Sequence, residues 1–249
     1  MTGTPLLPDV TLVAVTSVAM GPTLEALRAS MRQANFGQVL LLSNESPPHN
    51  DEVDITWRRI DPLASRVEYS RFMLRELADH IATTHALCIQ WDGFVLDGSA
   101  WDPEFLHYDY IGAVWPQFTD TRNVGNGGFS LRSKRLLAAC KGLPFDGSLL
   151  EDLVICRQHR DRLESEGMRF APAAVARRFS FEREVPSGHE FGFHGAHNLV
   201  RYLSPEAAPR LFRSLESNML ARSERRELFK WALKHGRLKL AAAMLRRLI

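Results

Sequence analysis

The sequence contains little cysteine. Its three cysteines, Cys88, Cys140 and Cys156, are far apart and form no C-x-x-C pair. An odd number of cysteines with this spacing argues against a disulfide framework and against a zinc knuckle. Because reduced thiols are typical of the cytoplasm, we expect a cytoplasmic protein.

Long hydrophobic runs are also missing. No apolar segment approaches the roughly 20 residues that a helix needs to cross a bilayer. The first basic residue is Arg28, and Asp9 precedes the first apolar segment, a pattern unlike that of a secretory signal peptide. With 249 residues, of which 45% are hydrophobic and 24% charged, the composition fits one large α/β domain, or one domain and an appendage.

A large net charge is absent as well, but the charge is unevenly distributed. The chain has a net charge of +2, whereas residues 201–249 have +8 and residues 1–200 have −6. We predict one domain over residues 1–200 and a basic helical extension over 201–249. The extension is expected to meet an anionic partner or to pack on the acidic domain. The basic residues cluster only in this extension, which argues against nucleic-acid binding.

Short apolar strands alternate with amphipathic helices along most of the chain. Strands are predicted at residues 10–16, 39–43, 55–60 and 86–89. Helices are predicted at residues 22–36, 69–83 and 149–166, and throughout the C-terminal extension with a break at Gly236. This alternation predicts βαβ units, and therefore an α/β fold with a mainly parallel central sheet flanked by helices.

The segment THALCIQWDGFVLDG, residues 84–98, ends its strand abruptly at Gln90, Trp91, Asp92 and Gly93. Ligands of parallel sheets bind beyond the carboxyl ends of the strands, and we therefore expect Asp92 at the rim of the sheet. Its carboxylate can hold a divalent cation or accept hydrogen bonds from sugar hydroxyls. Gly93 would allow a sharp turn and the close approach of a ligand. The alternative interpretation is an ordinary Asp-Gly turn.

Three further segments contain candidate site residues. Residues 126–128, Asn-Gly-Gly, either expose backbone N–H groups to a ligand or form a flexible loop. Glu151-Asp152 opens a helix, where one carboxylate can act as a general base, although the helix dipole alone explains acids in a first turn. In HEFGFHGAHN, residues 189–198, one histidine can bind a cation or a phosphate. The absence of H-E-x-x-H argues against a zinc site.

Together these segments resemble glycosyltransferases of the GT-A fold. The chain is similar in particular to an uncharacterised bacterial family of GT-A-like proteins with a Q-x-D segment, a Y-D-Y-I-G-A-x-W strand and an N-G-G-hydrophobic-S-L-R element. The matching residues here are Gln90–Asp92, Tyr108–Trp115 and Asn126–Arg132. The resemblance covers residues from about 10 to about 197. It implies a Rossmann-like GT-A fold and the transfer of a sugar from a nucleotide-diphosphate sugar to a hydroxyl of a glycan, polysaccharide or glycolipid precursor.

The resemblance also implies roles for individual residues. The nucleotide and the donor would be bound by Thr16, Ser17, Asn44, Arg71, Gln90, Trp91 and Asp92. The sugar and acceptor site would be formed by Trp115, Asn126, Gly127 and Gly128, although Trp115 belongs to an alternating strand and fits the core at least as well. Glu151 and Asp152 match an acidic pair that supplies the catalytic base in inverting members. Asp92 and His194 would bind Mn²⁺ or Mg²⁺.

Gln90 departs from the pattern, because the D-x-D motif of GT-A enzymes has an acid at this position. An amide brings no charge to a metal and is therefore a weaker ligand. Asp92 and His194 would still suffice together with phosphate oxygens and water, since these cations keep several waters. Alternatively, the reaction is metal-independent, and Arg71, Arg122 or Arg132 offsets the charge of the diphosphate.

Two other functions stay open. A sugar nucleotidyltransferase would need a basic, Gly-rich loop after the first strand, and residues 16–22 contain no basic residue. A non-catalytic carbohydrate- or partner-binding protein that kept the fold is consistent with Gln90. For the basic extension the sequence allows attachment to anionic lipid at the inner membrane face, packing on the acidic domain, or a homodimer interface.

Overall fold

The computed structural model describes residues 4–48, 54–215 and 219–245. The chain divides into two compact units, Met1–His194 and Gly195–Ile249. The boundary expected at residue 200 lies a few residues beyond this division.

The first unit is built on a six-stranded sheet. The strands of the unit are β1 (Leu6–Thr16), β2 (Asn35–Ser43), β3 (Thr56–Arg59), β4 (His85–Ile89), β5 (Phe94–Val95), β6 (Tyr110–Ile111), β7 (Ala113–Val114), β8 (Val124–Gly125), β9 (Phe129–Ser133), β10 (Ser180–Phe181) and β11 (Gly192–Phe193). The order in the large sheet is β3-β2-β1-β4-β9-β6. Strands β1 to β4 are parallel, and β9 is antiparallel to both β4 and β6.

Helices cover both faces of this sheet, as the packing of β1 shows. Leu12 and Ala14 belong to the same apolar layer as Leu27 of α1 (Met20–Met31). Val13 belongs to the other layer, together with Phe72 of α2 (Arg66–Arg75). Because alternate residues of a strand point to opposite faces, a strand covered on both sides is apolar at successive positions. The α/β fold with a mainly parallel sheet flanked by helices is therefore confirmed.

The remaining helices of this unit are short. They are α3 (Leu77–His80), α4 (Lys134–Cys140), α5 (Glu151–Leu153), α6 (Arg160–Ser165) and α7 (Ala173–Phe179). The helix predicted over residues 149–166 is interrupted, because a π-helical turn, Val154–Gln158, separates α5 from α6. The N–H of His159 closes this turn on the carbonyl of Val154 at 2.9 Å. Turns of this kind are frequent at functional sites.

Two smaller sheets complete the first unit. β7 and β8 form an antiparallel pair. β11 lies between β10, to which it is parallel, and β5, to which it is antiparallel. This three-stranded sheet joins the residues that follow β4 to a segment about 100 residues later in the chain.

The second unit is helical over its described residues. Its helices are α8 (Ala196–Leu199), α9 (Ala207–Ser214), α10 (Arg222–Lys234) and α11 (Leu238–Leu245). Gly236, with φ of 66°, lies between α10 and α11, where the break was expected. Across the described ranges, no helix has both the length and the apolar character needed to cross a membrane.

Candidate functional site

Asp92 lies directly beyond the carboxyl end of β4. The N–H of Gln90 donates to the carbonyl of Gly128 at 2.9 Å, and the N–H of Gly93 donates to the carbonyl of Gln90 at 3.1 Å. Asp92 is 7% exposed within this turn. A carboxylate is thus held at the edge of the sheet where parallel α/β folds bind ligands.

The three-stranded sheet brings His194 to Asp92. In the antiparallel pair of β5 and β11, Phe94 is opposite Phe193. His194 directly follows β11, and its Nε2 lies 3.2 Å from Asp92 Oδ1. On the other side of the ring, Nδ1 is 3.6 Å from Glu182 Oε1. The imidazole therefore lies between two carboxylates.

These carboxylates determine the charge of His194. Burial lowers the pKa of the imidazole, but Asp92 and Glu182 outweigh this effect and raise the pKa of His194 to about 10. The ring is therefore a cation at neutral pH when no other positive charge replaces its proton. The three side chains form one electrostatic cluster, and a change at any of them alters the charge balance at the other two.

Two glycines leave the space that this cluster needs. A Cβ at Gly128 would lie 2.0 Å from His194 Nε2, and a Cβ at Gly93 would lie 2.7 Å from the carbonyl oxygen of Phe193. Neither glycine has a positive φ. Glycine is therefore required at these positions because of close contact and not because of backbone conformation.

Asn126 begins the turn that leads into β9. Its φ is 75°, in the left-handed region that is uncommon for residues other than glycine. Its Oδ1 accepts a hydrogen bond from the N–H of Gly128 at 3.0 Å. Its Nδ2 is buried and has no hydrogen-bond partner within the described part of the chain. Strained and unsatisfied residues of this kind concentrate at functional sites.

Asp152, in α5, contacts the same turn. Its Oδ2 accepts a hydrogen bond from the N–H of Gly127 at 3.0 Å, and its Oδ1 accepts one from the N–H of Leu153 at 2.8 Å. The residue is partly exposed. Burial, followed by the charge of Glu151, raises the pKa of Asp152 to about 6. This carboxylate is ionised at neutral pH and is a stronger base than an ordinary aspartate.

Glu151 is buried instead. Its Oε1 lies 3.2 Å from Nη2 of Arg132 in an ion pair whose side chains are 5% and 0% exposed. Its Oε2 accepts a hydrogen bond from Ser70 Oγ at 3.2 Å. A Cβ at Gly127 would lie 2.2 Å from Oε1. Glu151 therefore supports the turn from behind, and Asp152 is the accessible member of the acidic pair.

The arginines considered as partners of a diphosphate occupy different environments. Arg132 is fully buried, paired with Glu151 and packed 5.4 Å from the centre of the Tyr110 ring, and it cannot reach a ligand. Arg122 is at the surface and forms an ion pair with Asp161. Arg71 is exposed on α2. Only Arg71 and Arg122 of the three present accessible guanidinium groups.

Thr16, Ser17 and Asn44 lie at the carboxyl ends of β1 and β2, on the same edge of the sheet as the end of β4. Thr16 Oγ1 accepts a hydrogen bond from the N–H of Ala19 at 3.1 Å, and Ser17 Oγ accepts one from the N–H of Leu63 at 3.0 Å. Asn44 is partly exposed. The two hydroxyls thus order the loops at this edge.

The side chains of Gln90 and Trp115 contact other residues of the protein. Gln90 Nε2 donates to the hydroxyl of Tyr69 at 3.1 Å, whereas Trp91 is partly exposed. Trp115 is 5% exposed, and its ring packs so closely on Gly125 that a Cβ there would lie 2.1 Å away. The structure places Trp115 in the core, where it supports β8, and leaves it no open face for stacking on a sugar.

Sequence reasoning missed Glu182. β10 and β11 are parallel with Phe181 opposite Phe193, and the residues that follow them, Glu182 and His194, therefore lie side by side. The two short Phe-polar pairs were the available signal. They became informative only once the pairing of the strands was known.

Asp92 and His194 fit a divalent cation that keeps part of its water. The 3.2 Å between Oδ1 and Nε2 is close to the roughly 3 Å between neighbouring ligands of an octahedral ion with bonds of about 2.1 Å. In the ranges that the structure describes, no cluster of three or more His, Cys, Asp or Glu side chains could hold a metal. A set of two ligands suits Mg²⁺ or Mn²⁺, completed by water and phosphate, and not a structural zinc.

A groove of about 720 Å³ lies at the opposite edge of the sheet, where β4 begins. Its lining includes the buried Asp109, which is bound by Arg135, by Ser133 Oγ at 2.5 Å and by the N–H of Arg169 at 2.7 Å. These bonds satisfy the carboxylate within the protein. Because none of the described residues that line this groove is strained or unsatisfied in the way that Asn126 is, we place the candidate site at the carboxyl edge.

Residues 54–194, more than half of the chain, match the family described as "Protein of unknown function (DUF5672)". The chain belongs to this family. The part shared with DUF5672 includes Asp92, the turn 126–128, Asp152 and His194. No curated protein matches this DUF5672 chain.

The solved structures that resemble this DUF5672 protein include two glycosyltransferases. One is the mannosyltransferase PcManGT from Pyrobaculum calidifontis in complex with GDP-Man and Mn²⁺, with 11% identity, a TM-score of 0.47, and coverage of 97% of this chain and 75% of that chain. The other is the apo-form glycosyltransferase GlyE of Streptococcus pneumoniae TIGR4, with 11% identity, a TM-score of 0.46, and coverage of 90% and 63%. Because both TM-scores are below 0.5, these similarities carry no argument about function, and only the candidate site of the DUF5672 protein does.

Proposed function

We propose that this protein is a glycosyltransferase that moves a sugar from a nucleotide-diphosphate sugar to a hydroxyl acceptor. One arrangement supports the proposal above all: a single turn, residues 126–128, lies against a cation- or phosphate-binding pair and a candidate base. Asp92 and His194 form the pair beside Gly128, and Asp152 binds the N–H of Gly127. The resemblance of the sequence motifs to GT-A proteins favours the same reaction.

Asp92 and His194 would hold Mg²⁺ or Mn²⁺ beside the donor site. When bound, the cation neutralises the negative charge that the diphosphate gains as it leaves. Thr16, Ser17 and Asn44 contact the nucleoside at the ends of β1 and β2, and the exposed guanidinium of Arg71 is the proposed partner of the phosphates. The turn 126–128, which has little side-chain bulk, forms the floor of the sugar site.

Asp152 is the general base. The acceptor hydroxyl gives its proton to this carboxylate as its oxygen attacks the anomeric carbon, and the bond from that carbon to the diphosphate breaks. The transition state has oxocarbenium character, and attack opposite the leaving group inverts the configuration. A base of this kind contributes about 10²–10⁴-fold to the rate. Glu151 assists through its charge, which helps to raise the pKa of Asp152.

A non-catalytic sugar- or nucleotide-binding protein is the second candidate. The observation that favours it is Gln90, whose amide is bound to the hydroxyl of Tyr69 and adds no charged ligand beside Asp92. Such a protein would bind the same ligands without turnover.

A thermal-shift screen of nucleotide diphosphates and their sugars, with and without Mn²⁺, tests the proposal. A ligand at a hundredfold excess over its dissociation constant raises the free energy of unfolding by about 2.7 kcal/mol. Asp92→Asn is expected to lose the Mn²⁺-dependent part of the shift. Asp9→Asn is the matched control, because it changes an exposed carboxylate near the amino end of β1, and it should keep that part.

Each nucleotide sugar that binds is then assayed for released and transferred sugar. Transfer or hydrolysis that Asp152→Asn abolishes supports the enzyme. Tight binding without turnover favours the binding protein, and the failure of every nucleotide sugar to bind would remove both candidates.

A further inference from the structure

The corner between α10 and α11 exposes apolar side chains. The two helices already bury an apolar face formed by Leu228, Ala232, Leu240, Ala241 and Met244. Leu233 and Leu238, which flank the turn at Gly236, are nevertheless 51% and 70% exposed. We call this pair the corner leucines. Large apolar side chains that stand out beside a glycine turn do not contribute to the core of this unit and are accessible to an apolar partner.

The same corner carries only positive charge. Glu227 is the last acid of the chain, and the cations that follow it include Lys230, Lys234, Arg237 and Lys239. The three lysines are exposed. Lys234 and Lys239 each directly follow a corner leucine. Exposed apolar and cationic side chains therefore alternate within one short stretch of the chain, residues 230–239, with no acid among them.

We propose that this corner binds the surface of a bilayer that contains anionic phospholipid. The corner leucines enter the boundary between headgroups and acyl chains, and the three lysines contact the lipid phosphates. A peripheral site of this kind needs both parts, since apolar insertion and electrostatic attraction add to each other. Each lysine near an anionic membrane strengthens binding by about fivefold.

Other partners fit this surface less well. A second copy of the chain in a two-fold contact would bring the same lysines against each other, and like charges oppose such an interface. A nucleic acid would satisfy the lysines but not the corner leucines, because bases stack on aromatic side chains and not on aliphatic ones. The combination of chemistry in this corner therefore favours lipid.

Co-sedimentation of the full chain with vesicles tests the proposal. We expect binding to vesicles of phosphatidylcholine and phosphatidylglycerol but not to vesicles of phosphatidylcholine alone, and weaker binding at high salt. The triple variant K230Q/K234Q/K239Q is expected to bind about 100-fold more weakly. The double variant L233S/L238S, which keeps every charge, is expected to bind at least about tenfold more weakly.

The matched control changes three exposed cations of the first unit, in R32Q/R66Q/K134Q. It has the same net charge as the triple lysine variant and should bind vesicles like the unchanged chain. If both triple variants lost vesicle binding equally, net charge alone would explain the binding and the proposal would be overturned. Failure of the unchanged chain to bind anionic vesicles would also overturn it. Self-association in size-exclusion chromatography that L233S/L238S abolishes would assign the corner to a second copy instead.

Discussion

Replacing Gly128 with alanine tests how the candidate site is held together. The new Cβ would lie 2.0 Å from His194 Nε2, whereas Cβ contacts shorter than 3.0 Å are essentially never seen. The imidazole must therefore move by about 1 Å. The ring is held by Asp92 at 3.2 Å, and the backbone N–H of His194 donates to the carbonyl of Phe181 at 3.0 Å. The methyl group thus separates the two residues that we assign to the cation and the diphosphate.

The expected effect is large on ligand binding and small on folding. A misplacement of about 1 Å in an active site can cost about 10²-fold in rate. Overpacking costs about 1–3 kcal/mol of unfolding free energy, which corresponds to a Tm lower by roughly 2–12 °C in a chain of this size. We expect Gly128→Ala to stay folded, to lose the Mn²⁺-dependent thermal shift with nucleotide sugars, and to lose about 10²-fold in turnover.

Two other glycines provide controls for this experiment. Gly21→Ala makes the same chemical change in α1, where no atom lies within 4 Å of the new Cβ, and it should leave the ligand response unchanged. Gly127→Ala pushes on Glu151 instead, at 2.2 Å, and should lower the Tm more than Gly128→Ala because it disturbs the buried ion pair. A ligand response of Gly128→Ala equal to that of Gly21→Ala would refute the assignment of His194 to the ligand site.

The remaining predictions concern the acidic pair and its arginine. Asp152→Asn is expected to lower kcat by about 10²–10⁴-fold, and the pH–rate profile of the unchanged protein should rise through about pH 6. Folding raises the pKa of Asp152 from 3.8 to about 6, and the stability contributed by its protonated form is therefore lost as the pH rises through that value. The Tm of Asp152→Asn relative to the unchanged protein should thus increase between about pH 4 and about pH 7. Arg132→Met leaves Glu151 buried without its partner and should lower the free energy of unfolding by about 3–5 kcal/mol in a urea titration. Arg122→Met, at an exposed pair, should lower it by about 0–1 kcal/mol.

A Tm difference that does not change with pH would show that Asp152 titrates as an ordinary aspartate. Equal stability of Arg132→Met and Arg122→Met would mean that the buried pair does not hold Glu151 in place.

The fold was predictable because its apolar pattern is strong and local. In β1, successive apolar residues such as Leu12 and Val13 indicate a strand covered on both faces, and the structure places them in opposite layers. The position of Asp92 could be predicted from the same pattern. Asp92 and Gly93 follow the apolar residues of β4, and they must therefore lie at the carboxyl end of this strand. These inferences needed no knowledge of contacts distant in the sequence.

The interior of the site could not be predicted in the same way. Glu151 and Asp152 are adjacent, and the choice between them depends on the burial of Arg132, which the sequence does not reveal. The alternation of the strand that contains Trp115 fits both a core position and a stacking surface, and the choice between them depends on the contact of its ring with Gly125. Glu182 reaches His194 only through the pairing of two-residue strands, which are too short to have a pattern of their own.

The π-helical turn Val154–Gln158 sets the rotational phase between the two halves of its helical segment. On its amino side Asp152 holds Gly127, and on its carboxyl side the guanidinium of Arg160 packs 3.7 Å from the centre of the Phe170 ring. Removing one residue from the turn would rewind it into a regular helix and rotate one half by about 100° relative to the other. Either Asp152 would then lose its contact with Gly127, or Arg160 would lose its contact with Phe170. The segment should therefore tolerate substitutions on its surface far more readily than any change in its length.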